Sequence, residues 1–106
     1  MRLDPDNQKC KKALMTAKKC EQLKEEGNEF IKNQQFEEAE QKYTDAINLD
    51  PSNKKLNSII FSNRALTFIK RKETFKALDD LNKSLELNPE YTKSLIRRAE
   101  INMERG

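Results

Sequence analysis

Five residues with side-chain N–H donors recur at matched spacings along this chain of 106 residues. Lys24 precedes Asn28 by four positions, and Lys93 precedes Arg97 by four, so each pair shares one face if its segment is helical. Asn63 lies between the two pairs. Lysine and arginine donate charge-assisted hydrogen bonds and asparagine adds amide donors, so residues of these types can hold an acceptor group.

Each of these residues, taken singly, also has an ordinary structural explanation. A lysine or arginine at a helix surface is usually solvated or paired with a neighbouring carboxylate, and an asparagine is usually a surface or packing residue. The five form a functional set only if the helices that carry them lie side by side.

The elements that would carry them are two copies of one helical hairpin, residues 20–53 and 58–91, related by a shift of 38 residues. Both copies end in Leu-Asp-Pro or Leu-Asn-Pro. The matched pairs are Leu23 and Phe61, Gly27 and Ala65, Phe30 and Phe68, Ala39 and Ala77, Tyr43 and Leu81, Ile47 and Leu85, Leu49 and Leu87, and Pro51 and Pro89.

A third copy begins after Pro89, with Leu95 and Ala99 at the positions of Leu23 and Gly27. It stops at Gly106, where the turn to its second helix should lie, so we expect the chain to be a piece of a longer protein. The divisions are therefore an N-terminal helical extension at 1–19, repeat 1 at 20–53, repeat 2 at 58–91 and the first helix of a truncated repeat 3 at 92–106, all within a single domain.

The spacing of apolar residues predicts an all-α chain of five helices, at about 7–33, 36–49, 54–71, 73–87 and 90–105. The first helix is long, and a break near Lys19 is one alternative. Small residues are expected where helices cross closely, at Gly27, Ala39, Ala65, Ala77 and Ala99. The predicted inward residues of the first two helices are Ala13, Leu14, Ala17, Leu23, Gly27, Phe30, Ile31, Phe36, Ala39, Tyr43, Ala46 and Ile47.

Composition favours stacked repeats over one compact core. Apolar residues make up 35% of the chain and charged residues 37%, which would also suit disorder, but the helical periodicity argues against it. The net charge of +3 is segregated: residues 21–53 hold nine acids and three lysines, whereas residues 54–72 hold six bases and no acid. One face of the stack should therefore be positive.

The chain lacks the residues that several classes of function require. The chain has no histidine, no glycine-rich phosphate loop and no cysteine cluster with metal spacing, so we expect no enzyme activity, no metal and no cofactor. No apolar run is long enough to span a membrane. Cys10 and Cys20 are too far apart along one helix to form a disulfide, and two free thiols fit a cytoplasmic or nuclear location.

The length of about 34 residues and two helices per copy resembles the tetratricopeptide repeat. That resemblance implies a superhelix of antiparallel helix pairs, here about two and a half repeats, in which the first helix of each repeat lines a concave groove. The donors also match the carboxylate-clamp class of this family, which grips the C-terminal Asp of heat-shock chaperone tails ending in Glu-Glu-Val-Asp. The resemblance assigns the clamp to Lys24, Asn28, Asn63, Lys93 and Arg97.

The same resemblance implies the rest of the binding site and its partners. Ile31 and Leu66 would form the apolar pocket for the Val of the tail, and the partners would be the seventy- and ninety-kilodalton heat-shock chaperones. Within the class, the chain is most similar to the C-terminal repeats of tetratricopeptide-containing J-proteins, which are DnaJ-type co-chaperones. The segments that carry this likeness are MRLDPD at 1–6, KEEGN at 24–28, SNRA at 62–65 and IRRA at 96–99. The His-Pro-Asp signature of a J domain is absent.

Two other functions remain open from the sequence. The first is a scaffold that associates with itself, because a halved third repeat should leave Leu95, Ile96, Ile101 and Met103 partly uncovered and favour a homodimer. The second is nucleic-acid binding. It is the weakest of the functions considered, because the aromatic residues are not interleaved with the lysines as a stacking surface requires. We therefore expect no nucleic-acid partner.

Overall fold

Five α-helices make up the computed structural model, which describes the backbone of residues 5–105 and the side chains of residues 14–104. The all-α prediction is confirmed. The bounds of the second to fifth helices lie within two residues of the predicted ones. The helices are α1 (Pro5–Lys32), α2 (Phe36–Leu49), α3 (Lys54–Lys70), α4 (Thr74–Leu87) and α5 (Thr92–Arg105).

Helix α1 is one continuous helix of 28 residues, without the break considered near Lys19. The prediction that Leu14 faces inward is wrong, since its side chain is 62% exposed. The reason is the length of α2, which has 14 residues and ends at Leu49. Cys20, whose thiol contacts the Ala46 carbonyl, is the first residue of α1 in the core cluster, and beyond it Leu49 borders only an open depression with Met15. The first half of α1 therefore extends past the helix on which it would pack. Ala13 lies outside the described side chains.

The turns inside the two hairpins have the same geometry at equivalent positions. Gln34 and Lys72, 38 residues apart, both have φ of 62°, the left-handed conformation that often ends a helix. The next amide in each turn donates back across the helix end, from Gln35 to the Phe30 carbonyl and from Glu73 to the Phe68 carbonyl, each at 2.8 Å. The backbone thus confirms the repeat read from side-chain classes.

The link between the hairpins is held by asparagines. Asn53 caps α3, and its side chain accepts a hydrogen bond from the Leu56 amide at 3.2 Å. Asn57 donates from Nδ2 to the Asp50 carbonyl at 2.8 Å, which ties the start of α3 to the end of α2. The second hairpin is therefore seated on the first at a defined angle.

Two apolar clusters form the core. The first joins α1, α2 and the start of α3, and includes the predicted Leu23, Ala39, Tyr43 and Ala46, while Phe36 and Ile47 are half-buried. The second joins α3, α4 and α5 and consists of Ala65, Phe68, Ala77, Leu81 and Ile101.

One expectation for α5 is wrong. Ile101 is only 5% exposed, because it turns inward onto the second cluster rather than outward with the uncovered face of its helix. Ala99, the small residue of the third copy, is exposed, whereas its counterparts in the first two copies are buried. No described helix follows α5 to pack against Ala99.

Buried polar contacts fix α5 and α4 against α3. The hydroxyl of Ser84 lies 2.6 Å from that of Ser94 and donates to the Ser58 carbonyl at 2.7 Å, and all three serines are fully buried. Their short side chains allow three helices to meet at one point. This serine junction sets where α5 lies, and α5 carries two of the five donor residues.

Candidate functional site

A close approach of α1 and α2 builds the first part of the site. The backbone of Gly27 lies so near the Tyr43 ring that a Cβ at position 27 would be 2.6 Å from Cε1 and 2.8 Å from Cζ. Only glycine leaves room for the ring there. The Tyr43 side chain is fully buried, and its hydroxyl donates a hydrogen bond to Oδ1 of Asn28, the next residue along α1.

A second donor reaches the same oxygen from α3. Asn63 donates from Nδ2 to Oδ1 of Asn28 at 3.2 Å. Two of the five predicted residues, from different repeats, are therefore in direct contact. Because Oδ1 accepts both of these hydrogen bonds, the amide of Asn28 retains its two N–H donors on Nδ2.

Arg97 of α5 lies on the same part of α3. Its Nη1 donates to the carbonyl oxygen of Ser62 at 2.9 Å and to its hydroxyl at 2.7 Å, next to Asn63 in sequence. Burial lowers the pKa of the Arg97 guanidinium from its ordinary value, while Tyr91 and Tyr43 act in the opposite direction. Burial likewise raises the pKa of the Tyr43 phenol, and the charge of Arg97 opposes that shift.

Among the described residues, no carboxylate lies within salt-bridge distance of Arg97, although the nearby charge of Glu100 opposes the lowering of its pKa by burial. Its hydrogen bonds to Ser62 are both to neutral acceptors. Burying a cation without an ion-pair partner costs free energy, which an anionic ligand would offset. By contrast, Arg64 and Arg71 are both paired with carboxylates. Arg97 therefore differs from the structural arginines of this stack.

The remaining donors flank this centre. Lys24 is 19% exposed, and its Nζ lies 3.7 Å from the carboxylate of its neighbour Glu25. It borders a surface cavity of about 350 Å³ between α1 and α3, together with Lys55 and Ile59. Lys93 is exposed on α5, and it too is without an ion pair among the described residues.

The two apolar residues assigned to the pocket lie on the helices that carry the asparagines. Ile31 is half-buried on α1 and packs against the first cluster, and Leu66 is half-buried on α3. A larger apolar depression, about 550 Å³, lies near the junction of α1 and the end of α2, lined by Met15, Thr16, Lys18, Lys19, Gln22 and Leu49. It contains none of the seven assigned residues.

The geometry brings together Asn28, Asn63 and Arg97, while Lys24 lies on α1 and Lys93 lies on α5. Two neutral amides and three cations can donate hydrogen bonds to one or two carboxylates. The sequence reasoning missed two contributors, Tyr43 and Ser62, because it treated Tyr43 as core and gave Ser62 no role. One signal for Tyr43 was available: the equivalent position in the second repeat is Leu81, which has no hydroxyl.

Other chemistry finds no site in the described region. Among the side chains of residues 14–104, no group of three or more histidine, cysteine or acidic residues is arranged to hold a metal ion. None of the described helices is both long and apolar enough to cross a membrane.

Comparison with known proteins places the chain among repeat proteins. No protein-family model matches it. The chain is 32% identical over 101 residues to a DnaJ homolog subfamily C member 7 homolog of Dictyostelium discoideum, covering 95% of this chain and 19% of that protein. It is 32% identical over 104 residues to mouse DnaJ homolog subfamily C member 7, covering 98% of this chain and 21% of that protein. The chain therefore spans about a fifth of the curated relatives it matches.

A solved structure agrees in fold and sequence. The first tetratricopeptide domain of Spaghetti (RPAP3), solved bound to the HSP90 peptide SRMEEVD, superposes with a TM-score of 0.74 at 32% identity, covering 81% of this chain and 67% of that one. On its fold and on these relatives, the chain belongs to the tetratricopeptide repeat family and is homologous to the tetratricopeptide-containing J-proteins.

Proposed function

We propose that this chain is the chaperone-binding module of a co-chaperone and that it holds the acidic C-terminal tail, Glu-Glu-Val-Asp, of cytosolic heat-shock chaperones of seventy and ninety kilodaltons. The clamp consists of Lys24, Asn28, Asn63, Lys93 and Arg97, and Ile31 and Leu66 line the pocket for the Val. The observation that carries the proposal is the contact between Asn28 and Asn63, together with an Arg97 that binds α3 beside Asn63 and forms no salt bridge with a described residue.

The chemistry of the ligand suits this arrangement. A C-terminal Asp presents two carboxylates on one residue, and each hydrogen bond from a charged donor contributes roughly 1.5–3 kcal/mol. Cations on both sides also attract the acidic residues that precede it, over a range limited by salt screening. The HSP90 peptide seen with the RPAP3 domain ends in the same four residues, which supports the proposal for this chain.

Calorimetric titration with an N-acetylated Glu-Glu-Val-Asp peptide tests the proposal. We expect a dissociation constant in the micromolar range, about −8 kcal/mol, that weakens as salt is raised. Amidating the terminal carboxylate should weaken binding by tenfold or more, because the peptide then loses the negative charge that the cations of the clamp bind.

Arg97→Ala and Arg98→Ala form a matched pair of variants. Both remove one charge from adjacent positions of α5, but Arg98 contacts the Asn82 side chain of α4, at 3.0 Å, rather than the clamp residues. We expect Arg97→Ala to weaken binding about tenfold or more and Arg98→Ala to leave it nearly unchanged. Equal affinities for the acid and amide peptides, or equal effects of the two variants, would refute the clamp.

A second candidate is self-association through α5. Leu95, Ile96 and Met103 are 40%, 51% and 81% exposed on this helix, so an apolar face is available. Analytical ultracentrifugation over a concentration series tests it. A monomer at all concentrations, or a dimer unaffected by Ile96→Glu, would count against self-association, whereas peptide binding by a monomer would favour the clamp alone.

A further inference from the structure

The amide of Asn28 is held in one orientation before any ligand arrives. A primary amide can flip at little cost, and the flip exchanges the positions of its acceptor oxygen and its donor nitrogen. Here Oδ1 receives hydrogen bonds from the Tyr43 hydroxyl and from Nδ2 of Asn63. The rotated amide would face the Asn63 donor with another donor, so the observed orientation is favoured.

Tyr43 is itself immobile. Its side chain is fully buried, and the ring lies against the backbone of Gly27 at a distance that excludes any other residue at that position. The hydroxyl therefore has a fixed location next to Asn28. A ligand that meets an already oriented amide avoids the entropy cost of ordering it.

The second repeat supplies an internal comparison. The positions equivalent to Gly27, Asn28 and Tyr43 are Ala65, Leu66 and Leu81. Leu81 is fully buried like Tyr43, so the fold accepts an aliphatic side chain at this position. In the two complete hairpins, the hydroxyl occurs where the residue at the equivalent position of the first helix is an amide and is absent where that residue is a leucine, as a positioning role requires.

We propose that Tyr43 is a positioning residue for ligand binding: its hydroxyl orients Asn28 so that both amide N–H groups point at the ligand carboxylate. This inference rests on the proposed function and deepens it. Tyr43 does not touch the ligand and acts through Asn28.

A double-mutant cycle tests the inference in the whole chain. Tyr43→Phe removes the hydroxyl and keeps the ring, and we expect it to weaken binding of the acetylated Glu-Glu-Val-Asp peptide about fivefold. In an Asn28→Ala background, where there is no amide to orient, the same change should have no further effect. Thr67→Val is the control. It removes a buried hydroxyl that donates to the backbone carbonyl of Asn63, in the same helix, and not to any side-chain amide. It should leave the affinity for the peptide unchanged.

A spectroscopic readout accompanies the titrations. In the ligand-free protein, Tyr43→Phe should shift the nuclear magnetic resonance signals of the Asn28 side-chain NH₂ group, and Thr67→Val should not. Circular dichroism confirms that each variant is folded.

The outcomes distinguish a failure of the positioning role of Tyr43 from a failure of the proposed function. If the native chain binds and Arg97→Ala weakens binding, but Tyr43→Phe has no effect or weakens binding equally with and without Asn28, the positioning role is overturned and the clamp stands. Unshifted Asn28 amide signals in Tyr43→Phe would overturn it as well. If the native chain does not bind the acidic peptide, the proposed function fails and the positioning role fails with it.

Discussion

Arg64 on α3 and Asp80 on α4 form a two-pronged ion pair, from Nε to Oδ2 at 2.7 Å and from Nη2 to Oδ1 at 2.8 Å. Asp80 is 1% exposed, and Nη1 of Arg64 also donates to the Thr44 hydroxyl of α2. The pair thus joins both hairpins. Its hydrogen bond to Asp80 is the main cause that raises the pKa of the Arg64 guanidinium, so the charge is retained at every accessible pH.

Breaking this pair should be costly. Asp80→Ala leaves the Arg64 guanidinium enclosed without a counter-ion, and we expect the free energy of unfolding to fall by about 3 kcal/mol in urea denaturation followed by circular dichroism. Asp79→Ala is the control, since Asp79 pairs with Lys83 at the surface and should contribute no more than about 0.5 kcal/mol. Similar losses from the two variants would show that the enclosed pair has no special role.

Glycine should stabilise the two hairpin turns. Gln34 and Lys72 have positive φ, a conformation that costs a residue with a side chain roughly 1 kcal/mol and costs glycine little. We expect Gln34→Gly and Lys72→Gly each to raise the melting temperature. Gln41→Gly, at an exposed position in the middle of α2, should lower it, because glycine weakens a helix interior by about 1 kcal/mol. A fall in melting temperature for all three variants would mean that the left-handed geometry carries no cost.

Alanine at position 27 should destabilise the chain even though it favours helix. The added methyl group would overlap the Tyr43 ring, and we expect a loss of about 1–3 kcal/mol in the free energy of unfolding. Combining Gly27→Ala with Tyr43→Leu reproduces the Ala65 and Leu81 pair of the second repeat and should recover much of that loss. Additive losses in the double variant, measured by urea denaturation, would contradict the steric explanation.

Stability should fall at alkaline pH through Tyr43. Burial raises the pKa of this phenol in the folded state, whereas in the unfolded chain it titrates at about 10. Above that pH the unfolded chain releases a proton that the folded chain keeps, so the free energy of unfolding decreases by up to about 1.4 kcal/mol per pH unit. Urea denaturation between pH 9 and pH 11 should show a shallower decline for Tyr43→Phe, and identical slopes would contradict the assignment. Tyr91, whose pKa burial also raises, is unchanged in both proteins.

Much of the fold could be predicted from the sequence because each helix has its own local signals. Pro51 and Asn53 mark one boundary, and the apolar spacing around Ala39 and Tyr43 sets the face of α2. The shift of 38 residues between the two copies then predicted the second hairpin from the first. The resemblance to the carboxylate-clamp class assigned Asn28 and Asn63 to one site, and the structure shows these two side chains in direct contact.

The features that the sequence did not predict depend on the relative length and rotation of helices. Leu14 fits the apolar stripe of α1, but its exposure follows from where α2 ends. Ile101 belongs to a helix with an uncovered face, yet its inward rotation depends on contacts with Phe68 and Leu81 that lie far away in sequence. The hydrogen bond from Tyr43 to Asn28 was not predicted either. A tyrosine that shares a helix face with Ala39 and Ala46 is typical of a hydrophobic core, so its hydroxyl was given no role.

The serine junction between Ser58, Ser84 and Ser94 affects recognition from a distance. It fixes the separation between α3, which holds Asn63, and α5, which holds Arg97, without any of its hydroxyls reaching the groove. A single added methyl group at that dry contact would push the two helices apart and widen the span over which the amide and the guanidinium act. The relative position of the proposed clamp residues therefore depends on side-chain volume at a buried contact remote from all of them.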